Sequence, residues 1–135
     1  MNINKIDHIS IAVKDLEAAK LIWQPVLGKT EPDESYEDNT EQIRVARYYV
    51  GEVGVELMES LTDEGEVARF IKTQGEGIML LSLGVNSVKD ACRELEDQNY
   101  PLVGPPRSFR NGEFNFIHPS KMNGVLLELI DEGEN

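Results

Sequence analysis

Residues 6–13 read IDHISIAV and residues 78–85 read IMLLSLGV, so that at an offset of 72 Ile6 falls on Ile78, Ser10 on Ser82 and Val13 on Val85. Each strand-like stretch runs into a helix-like one, KDLEAAKLIWQPVLG from Lys14 and NSVKDACRELEDQNY from Asn86, with Ala19 on Ala91. Both begin with residues that start helices, Asp15 in one and Asn86-Ser87 in the other. Their apolar residues recur at helical spacing, as Leu16, Ala19, Ile22 and Trp23, then Val88, Ala91, Cys92 and Leu95. Both halves then turn extended. EQIRVARYYVG and VGVELMES read as two strands around the turn Gly51–Gly54, and GEFNFIHPS and NGVLLELID repeat the idea around Pro119–Asn123. The offset carries Val55-Glu56-Leu57 onto Leu127-Glu128-Leu129. These signals predict an α+β fold of two tandem βαβββ modules with pseudo-two-fold symmetry. The first module spans 1–61 and the second 78–135 of a single domain, 1–135. TDEGEVARFIKTQGEG (62–77) joins them as a short helix and linker.

The totals narrow the function. The chain of 135 residues suffices for one compact core. Thirteen Lys and Arg against 25 Asp and Glu leave a net charge of −12, so no nucleic acid and no anionic membrane surface is expected as a partner. The one cysteine, Cys92, cannot form an internal disulfide, and its helical setting marks it as packing. No apolar run approaches the ~20 residues of a membrane span, and MNINKID lacks a signal-peptide pattern. A cytoplasmic protein is expected.

Two copies related by an approximate two-fold place matching positions around the axis. The polar residues that recur at inward strand positions, His8, Glu56 and Glu128, are therefore candidates for a shared site, with Leu80 as the copy of His8. Glu56 stands between Val55 and Leu57, and Glu128 between Leu127 and Leu129, as strand alternation demands of a residue facing away from an apolar layer. A lone carboxylate in such a strand usually meets solvent. Its recurrence at one repeat position favours the site.

The stretches DHISIAVKDLEAA, VELMES, GEGI and FIHPSKMNGVLLEL resemble the vicinal oxygen chelate superfamily, the glyoxalase and bleomycin-resistance fold, and within it the methylmalonyl-CoA epimerases. The likeness covers nearly the whole chain, and HPSKMNGVLLEL after Pro106-Arg107 is its most specific part. It implies a cupped mixed sheet with one divalent metal ion (Co, Mn, Mg or Zn) at its mouth, held by His8, Glu56 and Glu128. It also implies metal-assisted α-proton transfer on an acyl-CoA thioester, an isomerase activity. Glu128 and Glu41 would be the proton-transfer pair, and Leu80, His118, Arg107 and Lys121 would meet the substrate. Homodimers are common in the superfamily, and one is expected here.

Two departures qualify the resemblance. The family's GEGxHHIAxxV reads GEGIMLLSLGV here, so Leu80 replaces a ligand histidine and leaves the metal weakly bound or absent. The family's EQGVxVAFL falls on TEQIRVARY, without its glycine. Thr40 takes the glutamate's place with Glu41 one residue on, a slip that reverses the side chain's face unless a bulge compensates. Two other functions fit the same scaffold. One is a metal-free protein sequestering aromatic or antibiotic molecules in an apolar pocket built from Leu80, Met79 and Met58 with Tyr48 or Tyr49. The other is a divergent lyase or isomerase of secondary metabolism.

Overall fold

The structure is a computed structural model that describes residues 1–133. Among these residues the order is β1 (Ile3–Ala12), α1 (Leu16–Leu27), β2 (Glu34–Asp38), β3 (Ile43–Val50), β4 (Val53–Ser60), α2 (Glu66–Gln74), β5 (Gly77–Val85), α3 (Val88–Asp97), β6 (Arg107–Phe109), β7 (Gly112–Ile117), a 3-10 turn (Pro119–Lys121) and β8 (Leu126–Ile130). Strand, helix and three strands occur twice, with α2 between them, in an α+β fold. β2 and β6 are the strands that periodicity did not reveal. They are short edge strands, and ESYED carries too little apolar character to stand out from its acidic surroundings.

The chain forms two compact units. The first, Ile9–Met79, has the hydrogen-bonded strand order β2-β3-β4-β1. The second, Met1–His8 with the chain from Leu80 onward, has the order β1-β5-β8-β7-β6. β1 thus contributes its first residues to one unit and its last to the other.

In the first unit, Asp15 caps α1 by accepting from the Ala18 N–H at 3.1 Å, and Gly28 ends the helix in the left-handed region. Leu16 and Ala19 pack on Ile11, Val13, Ala46, Tyr48 and Leu57, with Trp23 and Leu27 alongside. Ile22, expected in this layer, is 69% exposed. The stripe that faces the sheet is Leu16, Ala19, Trp23 and Leu27, at spacings of three and four, which turns Ile22 with Leu21 and Val26 outward.

In the second unit Ser87 caps α3, accepting from the Asp90 N–H at 3.2 Å. Val88, Ala91, Cys92 and Leu95 pack on Val85, Ile117, Leu127 and Leu129. In both units every second residue of the core strands is committed to the helix. Glu56, between Val55 and Leu57, and Glu128, between Leu127 and Leu129, therefore lie on the opposite face of their sheets. None of the helices among the described residues is long and apolar enough to cross a membrane.

Candidate functional site

The faces turned away from α1 and α3 carry the polar residues. His8, Ser10, Glu56, Ser82 and Glu128 are all buried, with His8 and Glu128 at 6% exposure and Glu56 at 2%. An ionised group withdrawn this far from water must be matched by a partner or serve a purpose. The two glutamates are matched very differently.

Glu56, in the first unit, has both oxygens engaged. Ser10 Oγ donates to Oε1 at 3.2 Å and Arg47 Nη1 donates to Oε2 at 2.7 Å. Arg47 stands opposite Glu56 in the β3–β4 register and opposite Glu34 in the β2–β3 register.

Glu128, in the second unit, has the repeat-related neighbour, Ser82, as its cross-strand partner on β5. Here the serine–glutamate bond is not made. Ser82 Oγ and Glu128 Oε1 are buried without a hydrogen-bond partner. Glu128 Oε1 instead lies 3.2 Å from His8 Nε2, outside hydrogen-bonding geometry. On the other side of the imidazole, Nδ1 is 2.8 Å from Asp7 Oδ2. With a proton on Nδ1 the ring donates to Asp7, and Nε2 is the nitrogen that faces Glu128.

Leu80 lies on the same face as Glu128, since it pairs with Leu126 and shares alternation with Ser82, and it is buried. Arg107 on β6 is half-buried, its guanidinium 5.1 and 5.2 Å from the Phe114 and Phe116 ring centroids. Phe116 is the β7 partner of Glu128, which puts Arg107 on that face as well. His118 is exposed at the 3-10 turn, its Nδ1 accepting from the Ser120 N–H at 3.1 Å, and Lys121 is exposed beside the Tyr100 ring. Glu41 is half-buried in the β2–β3 turn, its N–H donated to Asp38 Oδ1 at 3.0 Å. Gln42, next in the turn, has a left-handed φ of 58°.

Tyr48 cannot help to line a ligand pocket on this side. It is fully buried against α1, with its hydroxyl donated to Gln24 Oε1 at 2.8 Å, and burial raises its phenol pKa, with Glu17 and Asp33 adding to the shift. Of the residues expected in such a pocket, Met58 and Tyr49 lie on the face of Glu56 by strand register.

The expected ligands do not fit a divalent ion. Among the described residues no group of three or more His, Cys, Asp or Glu side chains could hold one. Glu56 is already bound to a permanent cation, and Leu80 offers no lone pair. Sequence reasoning missed Arg47 and Asp7. Arg47 was accessible, because a hairpin turning between Val50 and Val53 pairs it with Glu56. Asp7 gave no signal, since strand alternation sends neighbouring residues such as it and His8 to opposite faces, yet its Oδ2 lies 2.8 Å from His8 Nδ1.

The profile of the Glyoxalase/Bleomycin resistance protein/Dioxygenase superfamily matches residues 7–116. The uncharacterized protein YqjC of Bacillus subtilis is 34% identical over 131 residues, covering 95% of this chain and 92% of that protein. The ethylmalonyl-CoA/methylmalonyl-CoA epimerase of Cereibacter sphaeroides is 28% identical, covering 94% of this chain and 97% of the enzyme. The crystal structure of methylmalonyl-CoA epimerase from Mycobacterium tuberculosis superposes with a TM-score of 0.89 at 31% identity, over 98% of this chain and 90% of that one. A duplicated βαβββ order, the profile match over residues 7–116 and these likenesses agree: the chain belongs to the glyoxalase/bleomycin resistance protein/dioxygenase superfamily.

Proposed function

We propose that this protein is an acyl-CoA epimerase, moving the α-proton of a methylmalonyl-CoA-like thioester from one face to the other. Its similarity to methylmalonyl-CoA epimerases supports the class of reaction. Fold alone would not, because function resides in the site. The observation that carries the reading is Glu128, buried at 6% with Oε1 unpartnered and His8 Nε2 at 3.2 Å. A buried carboxylate whose oxygen is left unbonded costs stability, on the order of 1–3 kcal/mol or more for a charged group. That cost is intelligible if the oxygen has to receive a proton.

In the proposed step a Glu128 oxygen takes the proton from the α-carbon. The electron pair moves into the thioester carbonyl to give an enolate. The new carboxyl proton is held against His8 Nε2, whose orientation Asp7 fixes. Reprotonation of the α-carbon on its other face completes the inversion, and Glu41 is the proposed donor. Arg107, the cation on the Glu128 face, is the proposed contact for an anionic group of the substrate.

Incubation of the protein with methylmalonyl-CoA in D2O tests this. Deuterium is expected at the α-carbon, lost in Glu128→Gln. Glu41→Gln is expected to exchange one epimer without interconverting the two, as removal of one of two acid–base groups requires. A wild-type protein that exchanges nothing, or a Glu128→Gln variant that exchanges fully, refutes the proposal.

A further inference from the structure

In the first unit the residues at one level of the sheet form a polar row. Glu34 on β2 stands opposite Arg47 on β3, and Arg47 opposite Glu56 on β4. Ser10 on β1 closes the row through its bond to Glu56. The guanidinium has a fitted seat in it. Nη1 donates to Glu56 Oε2 at 2.7 Å, Nε lies 3.6 Å from Glu34 Oε2, and the Tyr49 ring centroid is 5.0 Å from Cζ. The floor of the seat is Gly54. A Cβ there would come within 2.5 Å of Arg47 Cζ, 2.6 Å of Nε and 2.7 Å of Nη2. Gly54 is not among the positive-φ glycines, so its backbone does not call for glycine. The missing side chain makes room for the guanidinium.

Arginine is protonated at all physiological pH values, and its planar fork suits a carboxylate. A divalent ion approaching Glu56 would have to displace this cation or sit beside it, with like charges a few ångströms apart in a setting largely withdrawn from water. We propose that Arg47 is the resident counter-charge of Glu56, the carboxylate that the superfamily resemblance would assign to a divalent metal. On this assignment the protein neither needs nor takes up a divalent ion at this carboxylate. Nothing in the assignment depends on the substrate.

The test measures metal content and melting temperature in the full chain. Wild-type protein purified without chelator is expected to carry only substoichiometric divalent metal, with a Tm unmoved by EDTA or by Mn2+. Arg47→Met removes the cation between the Glu34 and Glu56 carboxylates, so externally supplied Mn2+ should stabilise that variant. At ten times its Kd the rise in Tm should be on the order of 5 °C. Gly54→Ala keeps the arginine but fills its seat. It strains no φ and displaces only the flexible end of a side chain, so it should fold and respond to Mn2+ in the same direction. It decides the question if Arg47→Met does not fold. Stoichiometric metal in the wild type whose removal lowers Tm overturns the assignment. So does a Mn2+ response equal in wild type and variants, or absent from both variants. Because neither readout requires turnover, failure of the exchange assay would sink the proposed function and leave this assignment standing.

Discussion

Replacing Arg47 by methionine removes the guanidinium from Glu56 while keeping an unbranched side chain on β3. The two side chains are 12% and 3% exposed and 2.7 Å apart, so the pair is little screened by water. At that separation and an effective dielectric constant of about 20 their attraction is about 6 kcal/mol, most of it offset by the desolvation of both ions. The net cost of removing one partner is set by the uncompensated charge left behind, typically about 3–5 kcal/mol. Ser10 still donates to Glu56 Oε1, which places the expectation at the lower end, near 3 kcal/mol. For a domain of this size that lowers Tm by on the order of 10 °C and the urea midpoint by about 1.5 M. Trp23 is the chain's single tryptophan and packs beside the α1 core, so its fluorescence reports the unfolding of this unit. The double variant Arg47→Met/Glu56→Met removes both charges and should return to within about 1 kcal/mol of wild type, since an apolar pair can replace a buried ion pair without loss. A single variant that loses less than about 1 kcal/mol would equate this pair with a surface salt bridge and refute the reasoning.

Asp7→Asn removes the carboxylate that receives the His8 Nδ1 proton at 2.8 Å. With the tautomer of His8 no longer fixed, α-proton exchange should fall by about 10–100-fold, chiefly in kcat, while thermal unfolding shows the fold intact. Cys92 has its thiol pKa raised by burial, with the charges of Glu96 and Glu113 adding and the Asn115 contact opposing. It should react with a thiol reagent at pH 8 only as fast as the protein unfolds, and reaction at the rate of a free thiol would contradict its packing. Tyr48 and Cys92 both have folded-state pKa values raised above their unfolded values. Their shared contribution is therefore fully present below the unfolded thiol and phenol values and is lost as pH rises through the folded ones. Stability should fall above about pH 9, and less steeply in Tyr48→Phe, as urea midpoints against pH would show.

The repeat was legible because duplicated strands carry apolar residues at fixed spacing, and the caps Asp15 and Ser87 mark the helices at the expected points. Glu56 and Glu128 were legible for the same reason, as polar interruptions at one repeat position. What the sequence concealed was the difference between them. Two glutamates on matching strands, each with a serine in reach of the same register, read alike. One is locked by an arginine nine residues away across a hairpin, and the other is set beside a histidine. Ile22 misled because a helix of alternating apolar residues admits two stripes, and contact with the sheet selects the one through Trp23. Tyr48 misled in the opposite sense, since strand alternation sends it to the helix side with Ala46.

The most direct test of the central claim is α-proton exchange on methylmalonyl-CoA in D2O, run on protein stripped with EDTA and compared between wild type and Glu128→Gln. Deuterium entering the α-carbon with wild type, undiminished by the chelator and abolished in Glu128→Gln, is the predicted result. Exchange that needs added divalent metal, or that persists without the Glu128 carboxylate, would contradict the account.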